Sequence, residues 1–440
     1  MKIHNVTFKE DQYKQLLCDL CIAISKQNAD TDNMDYLAAL TDAVLDRKIL
    51  FNTQILLNFR NAKTMGACTV LRIDDEIQNN VVKAANDGVG FGVNLDSLPD
   101  PISWLIKLNS YLLLLDKNVE RRVAAIATMD VNNPNVLDFI KIKRDANFNN
   151  WRMNLSVYVS DCFMDSVIRA IETGEKSDEM QIFMNMVDSM WYCGEPGILF
   201  LDRINEGNPL PDCKYEGMAP CAELAMNGGE RCHFAYINVA RFVKDGQVCF
   251  QDLINTVRLI TTALDNLIDV SIAADYNPVV ANKRRISIGI CGLAELFIML
   301  KVPYGSEESL DITNEVMSVI NYYSKATSMN LASLRGSFPW LDKSRLLDHE
   351  WFMSHGKGVS RHISNEMWES LWEQILENGI RNCATTALPP TGNSAYINHT
   401  TYSVEPIFHY NYEFVENTVK ELSYSRASIS LMRSASVIKS

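Results

Sequence analysis

Apolar positions along the chain recur with two different periods. Leu16, Leu17, Leu20 and Ile24 fall at helix spacing, and residues 1–60 read as helical. Leu253, Val257, Ile260, Leu264 and Leu267 step by four and three residues in turn, the mark of an amphipathic helix. Ile286-Ser287-Ile288-Gly289-Ile290 predicts a strand that turns at Cys291-Gly292 into a helix over 293–300. Trp368, Leu371, Trp372 and Ile375 predict a further helix, closed by Asn378-Gly379. Residues 380–388 then read as a strand running into Pro389-Pro390-Thr391-Gly392-Asn393-Ser394. Strands alternating with helices argue for α/β layering.

No repeat, low-complexity stretch or proline-rich linker divides the chain. The expectation is a helical N-terminal layer over residues 1–60 and one large domain over 61–440. With 440 residues, 47% hydrophobic and 22% charged, the chain has ample apolar content for a large core. The run Tyr111–Leu115 stops at Asp116 and Lys117, and no run reaches the length of a membrane span. The N-terminus has no apolar signal region. A net charge of −13 argues against a nucleic acid polymer or an anionic membrane as partner. Eleven cysteines in such a chain point to a reducing, cytoplasmic setting, in which a cysteine matters through its reactivity.

Several short patterns carry candidate chemistry. Gly88, Gly90 and Gly92 alternate at every second residue, which fits neither a Rossmann fingerprint nor a P-loop. Pro390-Thr391-Gly392-Asn393-Ser394 reads either as an anion-cradling loop or as a plain strand–helix turn. Cys18 and Cys21 form a lone C-x-x-C that reads as a pair of buried thiols, and no second pair or His-Glu-x-x-His suggests a metal site. Pro220-Cys221-Ala222-Glu223 places a thiol and a carboxylate two residues apart, able to face one substrate or to be incidental to a loop. Cys232 lies eleven residues further on, and Cys68 is far upstream.

Taken in order, these motifs resemble the catalytic subunit of ribonucleotide reductases over roughly residues 50–410. Gly66-Ala67-Cys68-Thr69-Val70-Leu71 with Asp74-Asp75-Glu76 is similar to the family's first redox-cysteine segment. Gly88–Asn94 with Leu95-Asp96-Ser97-Leu98 resembles its glycine loop. Arg121-Arg122, residues 134–140, Asn154-Leu155-Ser156-Val157 and Glu195–Asn205 follow in the family's order. Cys221, Glu223 and Cys232, then residues 237–242, 264–269, 284–289, 390–394 and Glu405-Pro406, complete the series.

The resemblance implies a ten-stranded α/β barrel of two five-stranded halves, of the ribonucleotide reductase/glycyl-radical type, with Cys221 buried on a loop inside it. It implies thiyl-radical reduction of ribonucleotides to 2′-deoxyribonucleotides for DNA synthesis. Cys221 would remove the ribose 3′-hydrogen, and Glu223 would take the 3′-hydroxyl proton. Cys68 and Cys232 would supply two electrons as a disulfide forms. Gly90, Asn154, Ala219 and the loop Pro390, Thr391, Gly392, Asn393 and Ser394 would hold the nucleotide. No metal ligand is implied on this chain.

The implied partners are a ribonucleoside di- or triphosphate substrate, a nucleoside triphosphate effector and a thioredoxin- or glutaredoxin-type reductant. The radical would come from adenosylcobalamin or from a diiron/dimanganese ferritin-like small subunit. Tyr322-Tyr323, the adjacent tyrosine pair, sits in the wrong place for a relay from such a subunit, which favours cobalamin. A glycyl-radical form is not expected.

The sequence departs from the family pattern in three places. Ala219 stands where the family usually has asparagine. No cysteine follows Cys383, although the family usually ends in a cysteine-bearing tail. No ATP cone is recognisable. Together these suggest a small, phage-type form, monomeric or homodimeric, acting in a host cytoplasm. The alternative is a non-catalytic or reprogrammed nucleotide-binding paralogue.

Overall fold

The computed structural model describes residues 2–3, 6–28, 33–115, 123–144, 151–356, 360–407, 412–416 and 419–423. Asp116, Lys117, Arg121 and Arg122 lie outside the described residues. The strands that bear on the site are, in chain order, β1 (Ile49–Phe51), β2 (Cys68–Val70), β3 (Gly90–Asn94), β4 (Ala125–Asp130), β5 (Met153–Val159), β6 (Gly197–Phe200), β7 (Arg231–Asn238) and β8 (Ile286–Cys291). The described residues divide into two compact units, a smaller one of Gly66–Arg231 and a larger one of Met1–Met65 with Cys232–Ser440.

The smaller unit is a parallel sheet in the order β2-β3-β4-β5-β6, with Cys68 opposite Gly90, Gly92 opposite Ile126 and Ile126 opposite Asn154. Parallel neighbours need crossovers, and helices supply them at Ile77–Asp87, Pro101–Leu115, Val136–Lys141, Asp161–Thr173 and Asp178–Cys193. The period-two alternation of a strand gives each sheet face its own residues. Phe91, Val93, Ala125, Ala127, Met129, Met153, Leu155 and Val157 share one buried cluster with helix residues such as Val81, Leu105 and Phe139. Ile126 and Tyr158 belong to the other face, where they pack with Leu199, Met218 and Ala225.

That second face explains the glycine alternation. Gly88 closes a helix in left-handed backbone, with φ 63°. Gly90 and Gly92 instead clear the sheet surface for a chain segment crossing it. A Cβ on Gly92 would stand 1.9 Å from the Met218 carbonyl oxygen, and one on Gly90 would stand 2.8 Å from Pro220 Cγ.

In the larger unit, helix Glu10–Ser25 buries Leu16, Leu17, Leu20 and Ile24. Helix Phe250–Ala274 buries Leu253, Val257, Ile260, Leu264 and Leu267. Strand β8 and the helix Leu293–Leu300 fall where the pattern placed them, and Gly292 between them has φ 76°. The helix predicted from Trp368 onward is Asn365–Asn378, with Trp368, Leu371 and Ile375 buried. β7 pairs parallel with β8 and antiparallel with β1.

Two expectations are corrected. Residues 1–60 are not helical throughout, because β1 interrupts them. Ile49, Leu50 and Phe51 are all buried, and so short an apolar run has no period to separate strand from helix. Residues 380–388 form no regular strand; a single parallel bridge joins Thr386 to Ile288. Beside that bridge Ala387 N–H donates to Ile288 O, and the carbonyls of Ala384 and Thr385 accept from Ile286 and Ile288 N–H. Before it the N–H groups bond differently: Arg381 N–H donates to Ser328 O, Asn382 N–H to Ser328 Oγ, and Cys383 N–H to Lys283 O.

The block Leu264–Asp269 with Arg284 is structural. Asp265, fully buried, faces Arg284 at 2.8 Å, Arg335 at 3.3 Å and Arg381 at 3.4 Å, and accepts from Asn382 Nδ2 at 3.0 Å. One carboxylate thereby ties the helices Phe250–Ala274 and Glu307–Arg335 to the chain on either side of β8. Asp265 and the carboxylate of Asp269, 2.6 Å away, raise the Arg284 pKa against the opposing effect of its burial.

Candidate active site

The segment crossing the second face of the smaller unit is a tight hairpin. Gly217–Met218 pairs antiparallel with Ala225–Met226. Within the loop, Ala219 N–H donates to Leu224 O and Ala222 N–H to Ala219 O, both at 2.8 Å. Ala222 has φ 61°, a left-handed conformation costly for a residue with a Cβ. A two-point Arg72–Glu216 ion pair at 2.8 Å holds the hairpin base beside β2.

This geometry brings together six of the expected residues: Cys68, Gly90, Asn154, Ala219, Cys221 and Glu223. Asn154 Nδ2 donates to Pro220 O at 2.9 Å, so β5 fixes the residue before Cys221. Cys68 Sγ, at the start of β2, lies 3.5 Å from where a Gly90 Cβ would stand, on the sheet face that Pro220 covers. Burial pushes the Glu223 pKa above the usual carboxylate value, and the backbone N–H groups of Glu223 itself and of Cys221 only partly oppose the rise. Glu223 Oε2 is shut off from solvent and has no hydrogen-bond partner among the described residues.

Cys221 departs from expectation. The thiol is exposed rather than buried, because it sits at the tip of the turn that Ala222 forces. Ala219 is fully buried, and its methyl group offers no polar contact.

Cys232 and the 390–394 loop lie in the larger unit, on one face of the β7–β8 pair. Cys232 is fully buried, with its Sγ 3.0 Å from Ser287 Oγ. Tyr236, on the same face of β7, donates from its hydroxyl to Pro390 O at 3.3 Å and accepts from Asn52 Nδ2. Gly289 lets Pro389 approach, since a Cβ there would meet Pro389 Cδ at 2.9 Å.

The loop hydroxyls also bond within the protein. Ser394 Oγ accepts from Thr53 N–H at 3.2 Å and donates to Phe51 O at 3.3 Å. Thr391 is buried, its N–H donates to Ser403 Oγ, and its Oγ1 accepts from Ser403 N–H. These hydroxyls build the loop, leaving Gly392, with φ 43°, and Asn393 at its outer turn.

Sequence reasoning gave no role to Pro220, Tyr236, Ser287 or Ser403. For Ser287 a signal existed, as a hydroxyl between two isoleucines in a buried strand wants a polar partner. Tyr322 and Tyr323 contact each other at 5.1 Å within helix Glu307–Arg335.

The model of the ribonucleotide reductase barrel domain matches residues 169–431, more than half of the chain, and the chain belongs to that family. That stretch holds Cys221, Glu223, Cys232 and the 390–394 loop. A vitamin B12-dependent ribonucleoside-diphosphate reductase of Thermoplasma acidophilum is 29% identical over 378 residues, covering 78% of this chain and 46% of that protein. Its counterpart in Mycobacterium tuberculosis is 28% identical over 377 residues, covering 78% and 50%. A ribonucleoside-diphosphate reductase subunit alpha of Synechocystis sp. is 21% identical, covering 90% and 60%. The chain thus spans about half the length of the B12-dependent relatives it matches.

Proposed function

We propose that this chain carries the catalytic barrel of a ribonucleotide reductase and reduces ribonucleotides to 2′-deoxyribonucleotides. The observation that carries the reading is the pairing of Cys221 with Glu223 across one turn. The turn presents the thiol and, beside it, a carboxyl with a raised pKa and an unpartnered buried oxygen. The family match over this turn and the relatives' names support the same reaction, and they do not favour a non-catalytic paralogue.

The steps balance on this chain's residues. Cys221, as a thiyl, takes the 3′-hydrogen and returns it at the end. Glu223 accepts the 3′-hydroxyl proton. The 2′-hydroxyl leaves as water, and the two electrons come from Cys68 and Cys232 as their thiols become a disulfide. Asn154 positions Cys221 through Pro220. The 390–394 loop holds substrate phosphate through its outer turn at Gly392 and Asn393, with Gly90 and Ala219 leaving room beside the thiol. A ten-stranded barrel completed from two halves is part of this proposal, and the smaller unit's five parallel strands fit one half.

The relatives named vitamin B12-dependent favour adenosylcobalamin as the radical source over a metal-bearing subunit. When bound, it supplies a hydrogen-abstracting one-electron equivalent. The exposed turn-tip thiol of Cys221 fits that need, since its sulfur is open to a group from outside the chain. The test is product formation from ribonucleoside di- and triphosphates with dithiothreitol and adenosylcobalamin. Cys221→Ser and Glu223→Gln are each expected to abolish turnover while leaving the fold intact.

A further inference from the structure

The smaller unit holds a shielded ion pair that the proposed chemistry does not use. Lys143, in the short turn Ile142–Arg144, places its Nζ 2.6 Å from Glu195 Oε2. The two side chains are only 14% and 23% exposed. Lys143 also lies over the Trp151 ring, 5.8 Å from its centroid. Burial lowers the Lys143 pKa, and Glu195 opposes that fall. Taking both charges out of water offsets much of their attraction, so such a pair adds little net stability. What it supplies is geometry.

The same Glu195 oxygen has a second partner, the Leu155 N–H on β5, at 2.8 Å. The β5–β6 ladder begins at Ser156, opposite Gly197. Leu155 N–H lies one residue before it, and a side chain from just ahead of β6 takes the place of a ladder carbonyl. Leu155 itself packs into the buried cluster on the first face of the sheet. Its neighbour Asn154 serves the other face, where Nδ2 donates to Pro220 O at 2.9 Å. Two adjacent residues therefore form a route from Glu195 to the turn. Glu195 fixes the strand at Leu155, and the strand aims Asn154 at the residue before Cys221.

We propose that Glu195, steadied by Lys143, is a positioning residue for Cys221 and acts through β5 and Asn154. The reach of its oxygen to Leu155 N–H does this, and its charge does not. Lys143 keeps that oxygen in place by donating to it from the opposite side. The inference rests on the catalytic reading only in taking Cys221 as the reactive thiol.

The test joins turnover to the reactivity of the Cys221 thiol in the whole chain. Glu195→Ala is expected to lower kcat by at least about tenfold, with KM within about twofold of the wild type. Glu195→Gln keeps an oxygen at the same reach and should hold kcat within about threefold of the wild type. Glu195→Asp keeps the charge but loses a methylene of reach, and should fall nearly as far as Glu195→Ala. The second readout is the rate at which iodoacetamide alkylates Cys221, followed by peptide mass. That rate should rise about threefold or more in Glu195→Ala and in Asn154→Ala, and no further in the double variant, because both act by one route. Cys162, exposed just beyond the far end of β5, is the control and should keep its rate. The proposal is overturned if Glu195→Gln is slower than Glu195→Asp, if the Cys221 rate is unchanged in Glu195→Ala, or if the effects multiply in the double variant. A Cys162 rate that rises equally marks general loosening and overturns it too. Should Glu195→Ala fail to fold, Glu195→Asp takes its place in both readouts. A wild type that forms no deoxynucleotide refutes the catalytic reading instead, and the alkylation rates then decide this inference alone.

Discussion

The carbonyl oxygen of Met218 lies 1.9 Å from where any Cβ on Gly92 would be. The hairpin carrying Cys221 and Glu223 therefore rests directly on the backbone of β3, and glycine alone permits it. Gly92→Ala should destabilise the protein by about 3 kcal/mol or more, since the obstacle is backbone that cannot rotate away. Denaturant unfolding measures this. A variant as stable as the wild type would mean the hairpin is not seated as described.

Asn154 tests positioning apart from stability. It is exposed, so losing its bond to Pro220 O should cost only about 1 kcal/mol of folding free energy. In Asn154→Ala, kcat should fall far more than the melting temperature, with KM little changed. A fall in stability that accounts for the whole loss of activity would contradict the positioning role.

Glu223 sets a pH dependence. Its folded-state pKa is raised, so its contribution to stability is fully present below the unfolded value and is lost as pH rises through the folded one. Glu223→Gln should therefore gain stability relative to the wild type above that point and show no such loss. The acid limb of kcat/KM, which reports the base in the free enzyme, should lie above the ordinary carboxylate range. A limb at the ordinary value would remove Glu223 as the base.

Ser394 separates a loop-building hydroxyl from a ligand-binding one. Its Oγ bridges Thr53 N–H and Phe51 O. Ser394→Ala leaves a buried N–H unsatisfied and should cost about 1–3 kcal/mol of stability. Were Ser394 a substrate donor instead, KM would rise with stability unchanged.

Asp265 carries the larger unit's charge network. Asp265→Asn leaves three arginines short of a buried countercharge and should destabilise by about 3–5 kcal/mol. Thermal unfolding at neutral pH measures the loss, and a neutral substitution would show that the arginines find other partners.

These particulars show what the chain's pattern conveys and what it withholds. Amphipathic helices were plain because 3.6-residue periodicity survives without partners, as Leu253 through Leu267 show. The β8–turn–helix unit was plain because Gly292 marks its corner. β1 was hidden, since three buried residues carry no period. The stretch 380–388 was legible only in part: residues 384–387 run beside β8, while Arg381 and Asn382 bond to Ser328, a partner remote in sequence. At the site, Cys221 and Glu223 were readable by type and spacing. The exposure of Cys221 was not, because it depends on the left-handed turn at Ala222. The bonds of the Thr391 and Ser394 hydroxyls to Ser403, Thr53 and Phe51 were not legible, because those partners are remote in sequence.

The most direct test of the central claim is deoxynucleotide formation by the whole chain and its Cys221→Ser variant, with adenosylcobalamin and dithiothreitol supplied. The account predicts 2′-deoxy product from the wild type, a Cys68–Cys232 disulfide after one turnover without reductant, and neither from Cys221→Ser. Undiminished product from Cys221→Ser, or turnover with both Cys68 and Cys232 still reduced when no reductant is present, would contradict it.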